Sequence, residues 1–240
     1  MSTKLKNRFT YGYNEADFKK FMRLAWTVLL SFGLMYMFFY NGRQNINLVL
    51  PLMKQEFQSD LGTLGVVSSA LFWCYAFGQL VSGRFGSYFG YKKLMIFGVV
   101  ASAVLNVVIS FQHDLWVIAV LWGLNGFCQA MVWSNGVGVI NKWWPKEKRG
   151  FASGLATAFS GVAQAVTYLT VNWCLILNPE WTWRAGFRFP IVPLVIALIA
   201  FIILFKEKPE NVGLAPFEEE DPETAARDKA LIAEAKSKGF

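Results

Sequence analysis

LAWTVLLSFGLMYMFFYNGRQNINLVLPLM, residues 24–53, is the stretch whose reading decides the fold. It is apolar from Leu24 to Tyr40, passes through Asn41-Gly42-Arg43-Gln44-Asn45, and turns apolar again over residues 46–53. As one helix it measures about 45 Å at roughly 1.5 Å per residue, long enough to cross the roughly 30 Å hydrocarbon core of a bilayer. Its midpoint falls near Phe38, so Arg43 lies only about 7 Å from the middle. A guanidinium that deep is costly and must face a protein interior or a wet cavity. Tyr36, Tyr40, Arg43 and Asn47 recur at i, i+4, i+7 and i+11, which is one helical face. Two phenols, a guanidinium and an amide on one stripe make a polar lining. The competing reading is an arginine that snorkels to the headgroups; the apolar run continuing beyond it argues against that.

Working outward, the same apolar character recurs. The chain has 240 residues, 55% of them hydrophobic, with mean hydropathy +0.36. Charged residues make up 16%, against about 25% in soluble domains. Both point to an all-α membrane protein. Six helices are expected, over residues 24–53, 61–83, 94–112, 115–141, 150–177 and 186–205. Residues 1–23 form a basic lead, 24–206 the transmembrane domain, and 207–240 a charged tail with a short helix expected over residues 225–238. The lead lacks an apolar core followed by a small-residue cleavage site, so no cleaved signal peptide is expected.

The net charge of +7 is topological and implies no nucleic acid partner. Fifteen Lys and Arg lie in the lead, the 2–3 and 4–5 loops and at Lys206 and Lys208, whereas the other three loops hold Lys54, Arg184 and Arg188. The positive-inside rule then puts both termini in the cytoplasm of a cell-membrane protein.

Polar stripes distinguish the helices. Helix 2 aligns Ser68, Phe72, Tyr75 and Gln79; helix 4 aligns Asn125, Gln129 and Gly136, with Trp133 at the edge; helix 5 aligns Ser153, Thr157, Ser160, Gln164 and Thr167. Helices 1, 2, 4 and 5 are expected to line one concave face. Helix 6 is apolar all round and helix 3 nearly so, with Asn106 as its main polar residue, so both should stand behind. Interhelical hydrogen bonding is an equal alternative for Ser153, Thr157 and Thr167. Gln79, Gln129 and Gln164 are expected in the cavity, because a primary amide needs several partners. Gly150, Gly154 and Gly161 are expected to allow close helix contact.

No Asp or Glu falls in an expected membrane core, so Arg43 is the one charge there and invites an anion. No hydrolase, nucleotide-binding or metal motif is present, which argues against an enzyme and against a cofactor. Cys74, Cys128 and Cys174 read as small buried residues, and His113 as an ordinary interfacial one.

Three pieces carry a resemblance: Arg43 with Pro51 eight residues on, Lys142-Trp143-Trp144-Pro145-Lys146-Glu147-Lys148-Arg149-Gly150, and Pro209-Glu210-Asn211-Val212-Gly213-Leu214-Ala215-Pro216. Over about residues 20–217 the chain resembles the N-terminal half of a major facilitator superfamily transporter, nearest to the organophosphate:phosphate antiporters. The resemblance implies inverted three-helix repeats and alternating access. It implies that Arg43 binds the substrate phosphate, that Tyr36, Tyr40 and Trp133 line the pocket, and that a C-terminal six-helix half or a second polypeptide completes it. Asn47, Tyr75, Gln79, Gln129, Ser160 and Gln164 complete the candidate substrate-binding set. The expected partners are a small anionic metabolite and the lipid bilayer. The sequence departs from the family at Gln79, where a basic residue is usual, at Ser160, where glycerol-phosphate carriers have histidine, and at Ser87, where the loop signature has Asp. A sensor of sugar phosphate and an organic-anion symporter stay open as alternatives.

Overall fold

The computed structural model describes residues 15–144 and 146–214. Lys4, Lys6, Arg8, Pro145 and the helix expected over residues 225–238 lie outside them. The described chain is helical: α1 (Glu15–Phe39), α2 (Asn41–Phe57), α3 (Leu61–Phe89), α4 (Tyr91–Ile109), α5 (Leu115–Trp143), α6 (Lys146–Leu177), α7 (Ala185–Arg188) and α8 (Ile191–Leu204). Six stretches of it are long and apolar enough to span a bilayer, with α1 and α2 forming the first and Pro179–Leu204 the last.

The boundaries differ from expectation where the sequence is glycine-rich or basic. The first helix begins at Glu15 rather than Leu24. The third runs through Arg84 and Gly86 to Phe89, so the expected 2–3 loop shrinks to Gly90. Gly90 has φ +94°, a conformation that only glycine adopts without strain, and its N–H closes the helix on the Gly86 carbonyl at 3.0 Å. Asp60 starts α3 as its cap: its carboxylate accepts from the Thr63 N–H at 2.7 Å and the Thr63 hydroxyl at 3.0 Å. Those bonds hold its pKa below the ordinary carboxylate value. The sixth span is built from a 3-10 turn (Pro179–Arg184), α7 and α8. It is interrupted at Pro190, which has no N–H to continue the ladder.

The bundle has two apolar clusters. One gathers Phe21, Val28, Phe32, Trp143, Phe201, Phe205 and Leu214. The other, toward the opposite end, gathers Ile46, Val49, Met53, Leu64, Trp122, Trp183 and Phe187. Both described termini belong to the first end, as an even number of crossings requires. In a bilayer, withdrawal from lipid gives little hydrophobic gain, so these clusters act through close fit and dispersion.

The first end is strapped. Lys92 Nζ donates to the Ile202 and Phe205 carbonyls at 2.7 and 2.8 Å, satisfying orphan acceptors at the end of α8. Trp143 Nε1 donates to the Lys206 carbonyl at 2.9 Å, and Lys20 Nζ to the Val212 carbonyl at 2.9 Å. Leu214 is buried. The first residues of the expected tail therefore dock on the bundle.

At the opposite end Arg184 clasps Glu56 through both terminal guanidinium nitrogens, at 2.7 and 2.8 Å, and the Trp183 indole donates to the same carboxylate at 2.8 Å. Glu56→Gln removes the bidentate pair. The pair is partly exposed, so the expected cost is only about 1 kcal/mol. A thermal melt in detergent should fall by a few degrees.

Candidate anion site

The site starts from a hitch in the first span. Tyr40 separates α1 from α2, and its carbonyl accepts both the Arg43 N–H at 3.0 Å and the Gln44 N–H at 2.9 Å. Asn41, Gly42 and Asn45 are buried, whereas Arg43 is half-buried. The guanidinium lies over two aromatic faces, its Cζ 4.4 Å from the Tyr40 ring centre and 5.1 Å from that of Tyr75 on α3. Each such contact contributes roughly 0.5–2 kcal/mol, only part of the cost of desolvating a guanidinium. Arg43 Nε is buried and has no hydrogen-bond partner among the described residues.

Aromatic packing extends the site. Tyr36 meets Tyr40 edge-on at 5.4 Å and Trp133 of α5 at 5.0 Å. Gln79 Nε2 donates to the Tyr75 hydroxyl at 2.7 Å. Arg43, Tyr36, Tyr40, Tyr75, Gln79 and Trp133 thus form one contiguous cluster from three spans. Chemically it offers a cation with a free donor, phenols and an amide, with carboxylates only near the ends of the spans. That combination suits a small oxyanion.

The other expected residues behave differently. Asn47 is exposed and donates to Gln44 Oε1 at 2.8 Å. Ser160 Oγ donates to the Thr157 carbonyl of its own helix, and Gln164 is exposed. Among the described residues no hydrogen bond joins either to Arg43. A cavity of about 450 Å³ lies elsewhere, between α6 and the last span, lined mainly by Leu169, Trp173, Leu177, Phe189 and Pro193. It holds no charged side chain and does not suit an anion.

Gln129 is a correction. It is 2% exposed, and its Nε2 donates to Ser102 Oγ of α4 at 2.9 Å. It belongs to a buried polar layer rather than to a cavity wall. Helix 3 is corrected with it: Ser102 and Asn106 of α4 are buried in the same layer, so this helix carries a polar face that packs on α5. The expected glycines are corrected too. A Cβ at Gly150, Gly154 or Gly161 meets nothing within 4 Å, whereas Gly126 abuts the Leu71 backbone and Gly78 abuts Ala130.

Comparison with known proteins agrees with this architecture. The Major Facilitator Superfamily profile matches residues 32–238. The probable hexose phosphate transport protein of Chlamydia pneumoniae is 22% identical over 200 residues, which is 83% of this chain and 42% of that protein. The phosphoglycerate transporter protein of Salmonella typhimurium is 27% identical over 81% of this chain and 42% of its own length. The membrane sensor protein UhpC of Escherichia coli is 24% identical over 78% of this chain and 42% of its own length. The chain spans less than half the length of these relatives. With six candidate spans and a profile match over most of its length, this multi-pass membrane chain belongs to the Major Facilitator Superfamily.

Proposed function

We propose that this chain supplies the N-terminal six helices of a transporter for a small organic anion, a phosphorylated metabolite such as a sugar phosphate or glycerol phosphate. Exchange against inorganic phosphate is the accompanying expectation. Arg43 binds the anionic group, and Tyr36, Tyr40, Tyr75, Gln79 and Trp133 shape the site around it. Asn47, Ser160 and Gln164 complete it from the open side in this proposal. A second six-helix half closes over the cluster, and the halves rock about the bound anion to expose it alternately to each side. Transport of this kind needs no covalent chemistry, so the protein is not an enzyme in this reading. Both termini are cytoplasmic, with residues 1–23 and 207–240 flanking the membrane domain.

The observation that carries the reading is Arg43 itself: a half-buried guanidinium in a membrane span, seated on Tyr40 and Tyr75, with a buried Nε left unpartnered among the described residues. The names of the hexose phosphate and phosphoglycerate carriers support the substrate class. The test is reconstitution with the second half in liposomes loaded with phosphate. Uptake of radiolabelled glucose 6-phosphate that depends on internal phosphate is the expected result; phosphate-loaded vesicles that take up none would overturn it. A second reading, a sensor of sugar phosphate, is favoured by the likeness to a protein named as a membrane sensor. It is distinguished by saturable glucose 6-phosphate binding without flux.

A further inference from the structure

Behind Arg43 lies a closed layer of amides that the anion site does not use. Asn125 Nδ2 of α5 donates to the Gly42 carbonyl at 2.8 Å, and Asn106 Nδ2 of α4 donates to the same oxygen at 3.2 Å. Asn125 Oδ1 accepts from Ser102 Oγ at 2.6 Å, and Ser102 Oγ accepts in turn from Gln129 at 2.9 Å. Asn45 Nδ2 donates to Asn106 Oδ1 and to the Gly186 carbonyl, both at 3.1 Å, while Asn45 Oδ1 accepts the Ile46 N–H at 3.0 Å. Asn45, Asn106, Asn125 and Gln129 are each at most 2% exposed. Four spans are pinned at one level, between the two apolar clusters.

The common target of the two asparagines is the carbonyl of the residue just before Arg43, in the first turn after the hitch at Tyr40. Asn125 Nδ2 makes its one hydrogen bond among the described residues to this carbonyl, so releasing it would strand a buried donor. Asn106 Nδ2 adds a second, longer bond and also donates to the Ser102 carbonyl of its own helix at 2.9 Å; together they fix the carbonyl's direction in a water-poor interior. The direction of that peptide sets where the next Cα projects its side chain. Position 42 is also closed to larger residues. An added Cβ would sit 3.1 Å from Asn106 Nδ2 and 3.3 Å from both Gln129 Nε2 and Ser102 Oγ.

We propose that Asn125 and Asn106 are positioning residues for anion binding: by holding the Gly42 carbonyl they aim the Arg43 guanidinium between Tyr40 and Tyr75. The proposal rests on the reading of Arg43 as the anion contact. It separates two functions of the first span, an outward cation that meets the ligand and an inward carbonyl that orients it. A generic interhelical glue would be indifferent to which backbone atom it grips; this one converges on the peptide beside the charge.

The test is a double-mutant cycle on the complete transporter, with glucose 6-phosphate as the probe and affinity read by titration on folded, monodisperse protein. Asn125→Leu keeps the branched shape of the side chain, though with bulkier methyl groups, and removes the donor. It should weaken binding about tenfold in the wild-type background and less than about twofold in the Arg43→Lys background, since a residue that acts through the guanidinium fork has little left to aim once the fork is gone. A purely structural role would lower the melting temperature equally in both backgrounds and leave the affinity of the surviving protein unchanged; that result, or an equal loss of affinity in both backgrounds, overturns the proposal. If Asn125→Leu does not fold, Asn106→Ser is read instead, since it withdraws one of the two donors and leaves Asn125 in place. If Arg43→Lys itself binds as wild type does, the anion-site reading has failed, which is a different outcome from a silent Asn125→Leu beside a defective Arg43→Lys.

Discussion

Arg43→Lys is expected to weaken glucose 6-phosphate binding at least about tenfold, and Arg43→Ala to reduce it beyond detection by ordinary titration. A phosphate accepts two parallel hydrogen bonds from a guanidinium fork, whereas an ammonium presents one compact charge. Charge-assisted bonds of this kind contribute about 1.5–3 kcal/mol each, and about 1.4 kcal/mol is a factor of ten in affinity. Tyr40 and Tyr75 offer ring faces that a lysine ammonium can also meet, so part of the cation–π attraction is kept in the lysine variant while the flat stacking of the guanidinium is lost. Lost with it is the fork, including the Nε that stands buried without a partner among the described residues. Binding and exchange are to be measured in proteoliposomes holding the complete transporter, after each variant is shown to insert and fold. Equal binding by wild type, Arg43→Lys and Arg43→Ala would make Arg43 a membrane anchor and remove the centre of the proposed function.

Much of this cluster was legible from one helix. The recurrence of Tyr36, Tyr40 and Arg43 at helical spacing put them on one face, and the structure brings all three together with Tyr75, Gln79 and Trp133 from two other spans. The six spans were legible because a long apolar run has few other meanings. Their ends were less so: glycine and basic residues read as a loop between helices 2 and 3, yet the helix continues through them to Phe89.

The polar layer was not legible, for a physical reason. An amide in a membrane helix needs partners, and both a wet cavity and a neighbouring helix supply them. Periodicity says which residues share a face but not what that face meets. Gln129 and Asn125 share the i, i+4 face of α5, and that face meets Ser102 and Asn106 of α4. The one usable signal was Asn106: a lone amide in an otherwise apolar helix is buried against something polar or is very costly. The glycines repeat the lesson. Gly150, Gly154 and Gly161 have the spacing of a packing face, but their side of α6 is open; close approaches occur instead where α3 meets α5, at Gly78 and Gly126, and where α4 meets α5, at Gly98.

Gly126→Val is expected to destabilise the fold severely, well beyond the loss of the Glu56–Arg184 clasp. At position 126 a Cβ would collide with the Leu71 carbonyl oxygen and come within 2.9 Å of Leu71 C and Cα. These are backbone atoms in the middle of α3, which cannot step aside as a long side chain does. Gly78 of α3 makes the reciprocal approach, where a Cβ would lie 2.7 Å from that of Ala130 and 3.2 Å from the Phe127 carbonyl. Small residues on both helices thus set the interaxial distance, and dispersion at that distance is what holds two membrane helices together where lipid is as apolar as they are. A branched side chain at 126 must force α3 and α5 apart along their shared length, loosening the support under Tyr75 and Trp133 together. Overpacking typically costs about 1–3 kcal/mol, and a collision with backbone puts this variant at about 3 kcal/mol or more. The predicted readout is loss of the monodisperse peak in detergent size-exclusion chromatography and a melting temperature lowered by roughly ten degrees or more. Gly65→Ala is the control: it lies in α3, its Cβ would meet nothing within 4 Å, and it should be neutral or slightly stabilising, since alanine favours helix by up to about 1 kcal/mol over glycine. If Gly126→Val melts where wild type does, α3 and α5 are not held at this distance by glycine, and the account of how the site's aromatic wall is supported fails with it.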